Sequence, residues 1–148
     1  MTNVSIEIIK KIEHFCAYQE RCKFDVERKL NSFNLSVAQI SEIITFLENE
    51  KFIDEDRYVE TFVRSKVKRS WGKQKIISAL KTKHISQNII DKYVKDIDSD
   101  NYNNQLKYII QKWLKTHKDS VNKREKLFRF LISKGYSYEE ILRAIASN

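Results

Sequence analysis

An all-α protein of three tandem three-helix units is encoded in this chain, and three observations lead to it. The first is a helix-to-helix joint written three times: Leu30-x4-Leu35-Ser36-x3-Ile40, Leu80-x4-Ile85-Ser86-x3-Ile90 and Leu131-x4-Tyr136-Ser137-x3-Ile141. The leucines recur at intervals of about 50 residues, the mark of a small supersecondary unit used in tandem. The second is composition: no proline and only two glycines, Gly72 and Gly135, in 148 residues. Strands joined by tight turns need more of both. The third is period. Val26, Ile76 and Leu127 stand four residues before the leucines, and Ile44, Val94 and Ile145 stand eight after the serines. Offsets of four and eight draw an apolar stripe along each of two helices.

The joint has a chemistry of its own. Asn34, His84 and Gly135 precede the apolar turn residue, where a helix often ends in a left-handed conformation. The serine then caps the next helix. Ser36 with Gln39, and Ser137 with Glu140, have the spacing of a capping box; Ser86 with Ile89 does not.

Taken in order, the first unit spans residues 1–53. Its first helix carries Ile8, Ile9, Ile12, Phe15, Cys16 and Ala17. Its second runs from about Lys23 to Phe33, and its third follows Ser36 with Ile40, Ile43, Ile44 and Leu47. The second unit spans 54–98. Asp54, Glu55 and Asp56 put negative charge where a helix begins, and Lys66, Lys68 and Arg69 put positive charge where it ends, both of which suit the helix dipole. A break at Ser70-Trp71-Gly72 leads to a helix with Ile76, Ile77 and Leu80, then to one after Ser86. The run Asp96-Ile97-Asp98-Ser99-Asp100-Asn101 is the most polar in the chain and reads as a hinge. The third unit spans 99–148, with Leu106, Ile109, Ile110, Trp113 and Leu114 on its first helix. A loop around Thr116 to Asn122 leads to Leu127, Phe128, Phe130 and Leu131, and a short helix follows Ser137.

Units this small bury little surface alone, so neighbours must lean on one another. No apolar run reaches membrane-spanning length, and the N-terminus lacks a basic-then-apolar signal, so a soluble cytoplasmic protein is expected. Cys16 and Cys22 read as two thiols in a reducing compartment. The histidines His14, His84 and His117 fall in different units with no Cys, Asp or Glu at metal-ligand spacing, and no glycine-rich phosphate loop is present. No catalytic residue, metal or cofactor is expected.

What remains is charge. The formal net charge is +8 and the pI about 9.4. That balance favours a polyanionic or acidic partner, unless the surface is merely solvated. From Arg64 to Lys83 the chain holds Arg64, Lys66, Lys68, Arg69, Lys73, Lys75, Lys81 and Lys83 with no acid between them. A run of one sign repels itself, and binding a polyanion would offset that cost. A second concentration includes Lys123 and Arg124. Trp71, inside the first run, fits either stacking on a base or packing between helices.

From Phe52 to Ser86 the chain reads FIDEDRYVETFVRSKVKRSWGKQKIISALKTKHIS. An acidic turn at Ile53-Asp54-Glu55-Asp56-Arg57 precedes the aromatic helix Tyr58-x3-Phe62-Val63-x-Ser65. A basic segment ending at Gly72 and an Ile76-x3-Leu80 helix follow. This pattern resembles the signature of the RecX family of bacterial regulatory proteins. CAYQERCKFDVERKL in the first unit is similar to that family's opening repeat, and the third unit agrees in spacing. His84 departs from it, standing where a glycine is usual. The resemblance implies tandem three-helix repeats, elongated and able to curve along a filament. It implies a non-enzymatic modulator that binds the RecA–DNA filament and restrains strand exchange, ATP hydrolysis and co-protease activity. DNA, single- or double-stranded, would be met directly or inside the filament, by a monomer. Two other readings stay open: a helix-turn-helix DNA-binding module, and a helical-repeat adaptor for another protein. Against the former, the helices after the caps begin Val37-Ala38-Gln39, Gln87-Asn88-Ile89 and Tyr138-Glu139-Glu140, which are not basic.

Overall fold

A computed structural model of the chain describes residues 4–147; residues 1–3 and 148, at the outer ends of the first and third expected units, lie outside the described residues. Among the described residues there are nine α-helices and no strand. The first trio is α1 (Ile6–Tyr18), α2 (Lys23–Asn31) and α3 (Val37–Asn49). The second is α4 (Glu55–Lys68), α5 (Lys73–Thr82) and α6 (Gln87–Lys95), and the third is α7 (Ser99–Thr116), α8 (Lys123–Ser133) and α9 (Tyr138–Ala146).

The three joints form as their chemistry requires. Asn34, His84 and Gly135 all adopt positive φ, at 60°, 58° and 100°. The serine hydroxyls of Ser36, Ser86 and Ser137 accept from the backbone N–H of Gln39, Ile89 and Glu140. Gln39 and Glu140 close full capping boxes. The bond at Ser86 is the longest of the three, at 3.4 Å, and has no box to support it. The matched apolar positions become core: Leu30, Leu80 and Leu131 are fully buried, as are Val26 and Ile76. Because α9 has only nine residues, its cap matters. Ser137→Ala should cost about 1 kcal/mol, seen as earlier loss of helical ellipticity on heating; an unchanged melting curve would show that α9 holds without its box.

Among the described residues the buried apolar side chains form two clusters. One belongs to the first trio, around Ile12, Leu30, Ile43 and Leu47. The other runs unbroken through the second and third trios, from Val59, Ile76 and Ile90 to Leu106, Leu131 and Ile141. This differs from the expected hinge at Asp96–Asn101. Asp96 ends α6, and Asp98 caps α7 by accepting from Asp100 and Asn101. The polar run is therefore a pair of helix ends, and the helices on either side share a core.

The second and third trios also interlock through backbone. The N–H of Gly72 donates to the carbonyl of Lys134 at 2.7 Å, and the N–H of Gln74 donates to that of Gly135 at 3.1 Å. The N–H of Lys73 donates to the Tyr102 hydroxyl at 2.9 Å. Helix α5 has no side-chain cap of its own, so residues of the third trio satisfy the start of α5.

Both cysteines are buried free thiols, and burial raises each pKa to about 11. At pH 8 only about one thiol in a thousand is then thiolate. Ellman's reagent should label the folded protein far more slowly than the protein in guanidinium; rapid labelling of the folded chain would contradict this burial.

Candidate polyanion-binding surface

The basic run is dispersed by the period of α4. Residues 64 and 68 lie on one flank of that helix, and 66 and 69 on another. Arg64 pairs with Glu60 on its own helix at 2.8 Å, the two side chains more than half exposed. Arg64 and Lys68 line a groove of about 500 Å³ that also contains Asp96 and Asp98. Opposite charge is available there, so these two cations do not join the rest.

Lys66 and Lys75 instead meet over Trp71. Their Nζ atoms lie 4.6 and 4.2 Å from its ring, and Lys66 lies 5.2 Å from Phe62 as well. Trp71 packs edge-on to Phe62, ring centroids 6.2 Å apart, and against the shared core. Of its two expected roles, the structure displays packing. Its ring is covered by ammonium groups, an arrangement favoured by the ring quadrupole. Ser70, buried at positive φ, turns the chain here, and its hydroxyl donates to Gln105 of α7 at 3.1 Å.

Arg69 and Lys134 complete the cluster. Partial burial, and then the charges of Arg69 and Lys75, hold the pKa of Lys66 below its ordinary value. Partial burial and the charge of Lys75 do the same to Lys134. Among the described residues, no ion pair joins Lys66, Arg69, Lys75 or Lys134 to a carboxylate. Lys134 lies beyond both basic stretches in sequence. The contact of Gly72 with Gly135 carries it to this place, and no run or motif announces it.

A groove of about 860 Å³ between the first and second trios adjoins the cluster. Arg21, Arg28 and Lys29 line it from one side, and Lys66, Arg69 and Lys83 from the other. Two acids share it, and both are engaged. Glu20 accepts from Arg57 at 2.7 and 2.8 Å, and Asp25 pairs with Lys83 at 2.5 Å. The three cations of the first trio escape a search for basic runs because acids alternate with them in sequence.

The other expected residues fall elsewhere. Lys73 lies over the Tyr102 ring at 4.8 Å, and Lys81 is exposed on α5. Lys123 and Arg124 open α8, with Arg124 over Phe128 at 5.1 Å. They stand roughly 15 Å along that helix from Lys134. Among the described residues, no three His, Cys, Asp or Glu side chains group as metal ligands, and no helix is long and apolar enough to cross a membrane. His84 stacks on Phe24, and His117 on Trp113.

The comparisons agree on one family. The family model described as RecX, second three-helix domain, matches residues 54–93, and that described as RecX, third three-helix domain, matches residues 100–145. The chain is similar to "Regulatory protein RecX" of Clostridium botulinum (strain Eklund 17B / Type B), 35% identical over 120 residues, covering 78% of this chain and 56% of that protein. It is likewise similar to the protein of that name in Clostridium tetani (strain Massachusetts / E88), 37% identical over 117 residues, covering 76% and 54%. The chain thus spans about half the length of these curated relatives. The crystal structure of RecX from Lactobacillus salivarius matches with a TM-score of 0.80 at 26% identity over 97% of both chains. In fold alone, a further crystal structure of regulatory protein RecX matches with a TM-score of 0.86 at 19% identity, over 95% of this chain and 72% of that one. With both family models and these relatives in agreement, the chain belongs to the RecX family of regulatory proteins.

Proposed function

We propose that this chain binds the RecA–DNA filament and restrains its recombinase, ATPase and co-protease activities, acting in the cytoplasm as a monomer and by binding rather than catalysis. The observation that carries this reading is the convergence of Lys66, Arg69, Lys75 and Lys134 without a carboxylate partner. Like charges held together in a folded protein cost stability, and a polyanion offsets that cost when it binds. Arg64, Lys68, Lys73, Lys81, Lys83, Lys123 and Arg124 act as outlying contacts along the same polymer, where many weak sites add through avidity. The ammonium groups over Trp71 suit contact with phosphates rather than with bases, so binding should not depend on nucleotide sequence. The test is RecA ATPase on single-stranded DNA, titrated with this protein across a range of salt. Inhibition that weakens steeply as salt rises is the expected result; an ATPase unaffected by the protein would overturn the reading.

A further inference from the structure

The first trio joins the second mainly through polar contacts. Its apolar cluster is separate, and Cys22 and Phe24 are the first-trio side chains that reach the neighbouring core. The remainder is ionic or hydrogen-bonded. Arg57 binds Glu20 and donates to the carbonyl of Lys51 at 3.0 Å. The Glu55 carboxylate accepts from the N–H of Lys23 at 3.0 Å. Asp25 reaches across to Lys83.

Asp25 stands apart from the other acids of this joint because of where it sits. Its carboxylate lies at the edge of the cationic groove, four-fifths buried, on a lysine that lines that groove. Beside it, Arg28 and Lys83 flank the ring of Phe24 at 5.7 and 5.4 Å, and His84 stacks on that ring at 5.0 Å. A carboxylate held among cations occupies the place that an external anion would take. A single carboxylate is also a weak competitor. A strand that brings phosphates to Arg21, Arg28, Lys29, Lys66 and Arg69 together gains from each contact and releases counterions at each.

We propose that Asp25 is an internal anion that keeps the groove between the first two trios closed, and that a single nucleic-acid strand entering it displaces Asp25 from Lys83 and releases the first trio. The inference rests on the proposed reading of this surface as one that meets a polyanion, and adds to it a gate. Charge selects the occupant, since six cations line the groove and both acids are already spoken for. The strand prefers the open state because Lys83 is free only there, so breaking the pair and binding the strand must favour each other.

Two measurements test it. The first is fluorescence anisotropy with a short labelled oligothymidine. Asp25→Asn, which keeps size while removing the pair, should bind roughly tenfold more tightly than the unaltered chain. Glu27→Gln removes one acid from the same helix outside this groove and should change affinity about twofold or less. The second is the distance between labels at Ala38→Cys and Ser78→Cys, two exposed sites on α3 and α5, with the native thiols buried. That distance should widen when oligothymidine is added, and should already be wide in Asp25→Asn. Lys83→Gln breaks the same pair, so it should also widen the distance, yet bind the strand no more tightly than the unaltered chain. Equal affinities for Asp25→Asn and Glu27→Gln, a distance that oligothymidine does not move, or no binding of oligothymidine would each overturn the gate. The filament reading falls separately, in the ATPase titration, where failure leaves the label distance to be judged alone.

Discussion

Replacing Lys66, Lys75 and Lys134 together by glutamine is expected to remove most of the proposed restraint on RecA while leaving the fold intact. The three ammonium groups come from α4, α5 and the end of α8: Lys66 and Lys75 meet over Trp71, Lys134 feels the charge of Lys75, and none of the three pairs with an acid. If each neutralises one phosphate, removing all three should lower the slope of log affinity against log salt by about 2 to 3. At moderate salt the loss should be about 2 kcal/mol, at under 1 kcal/mol for each partly exposed charge, which is roughly thirtyfold in affinity. Stability supplies the second half of the prediction. Lys66 and Lys134 have pKa values below their ordinary ones, so folding penalises their charged forms. That penalty applies at neutral pH, below the folded-state pKa, and fades as pH rises through the ordinary lysine value of 10.5. Glutamine removes it, so the triple variant should melt no lower than the unaltered protein at pH 7. Weak inhibition combined with an undiminished melting temperature would identify a binding surface. A fall in melting temperature would instead mean that these lysines hold the fold together, and unchanged inhibition would remove the assignment.

Gly72→Ala is expected to be among the most damaging single-methyl changes in the chain. The φ of Gly72 is −77°, which alanine adopts freely, so the cost is steric rather than conformational. A Cβ placed there would lie 2.1 Å from the carbonyl carbon of Gly135, 2.2 Å from its oxygen and 2.3 Å from the nitrogen of Tyr136. These are backbone atoms that no rotamer change can move aside. The α8–α9 joint must back away, and the bonds from Gly72, Lys73 and Gln74 to the third trio weaken together. At about 1 kcal/mol for each bond, the loss is about 3 kcal/mol before any disturbance of the shared core. For a chain of this size that should lower the melting temperature by about 10 °C. Gly135→Ala should be worse, because its φ of +100° disfavours any side chain and a Cβ there would lie 2.4 Å from that of Lys75. The proposed filament inhibition should also weaken in Gly72→Ala, since Lys134 is carried by the displaced joint. A melting temperature within a degree or two of the unaltered protein would show that the two trios do not interlock as described.

The helices themselves were readable because their signals are local. A serine after a residue that tolerates positive φ, with an apolar residue between them, marks a joint wherever it occurs, and Asn34, His84 and Gly135 behave alike despite different side chains. His84 shows that the joint tolerates the loss of the usual glycine, with Phe24 stacked on the imidazole. Lys51, Ser70 and Asn122 also adopt positive φ without that signature. The run Asp96–Asn101 misled because polarity marks helix ends as readily as linkers, and capping by Asp98 accounts for its composition. The basic run is scattered in space for a different reason. Its eight cations are neighbours in sequence, but a turn of 100° per residue sends Arg64 and Lys68 away from Lys66 and Arg69.

Order along the chain determined the helices of the described residues, their caps and the residues that would be buried, since each depends on neighbours within a turn or two. Tertiary structure alone decided which cations meet. Lys134 joins Lys75 because two glycines let backbones from different trios touch, and Arg28 faces Lys83 across a joint that Asp25 closes. Charge acts through space rather than along the chain, so a site made of dispersed cations becomes visible only once the helices that carry them have packed.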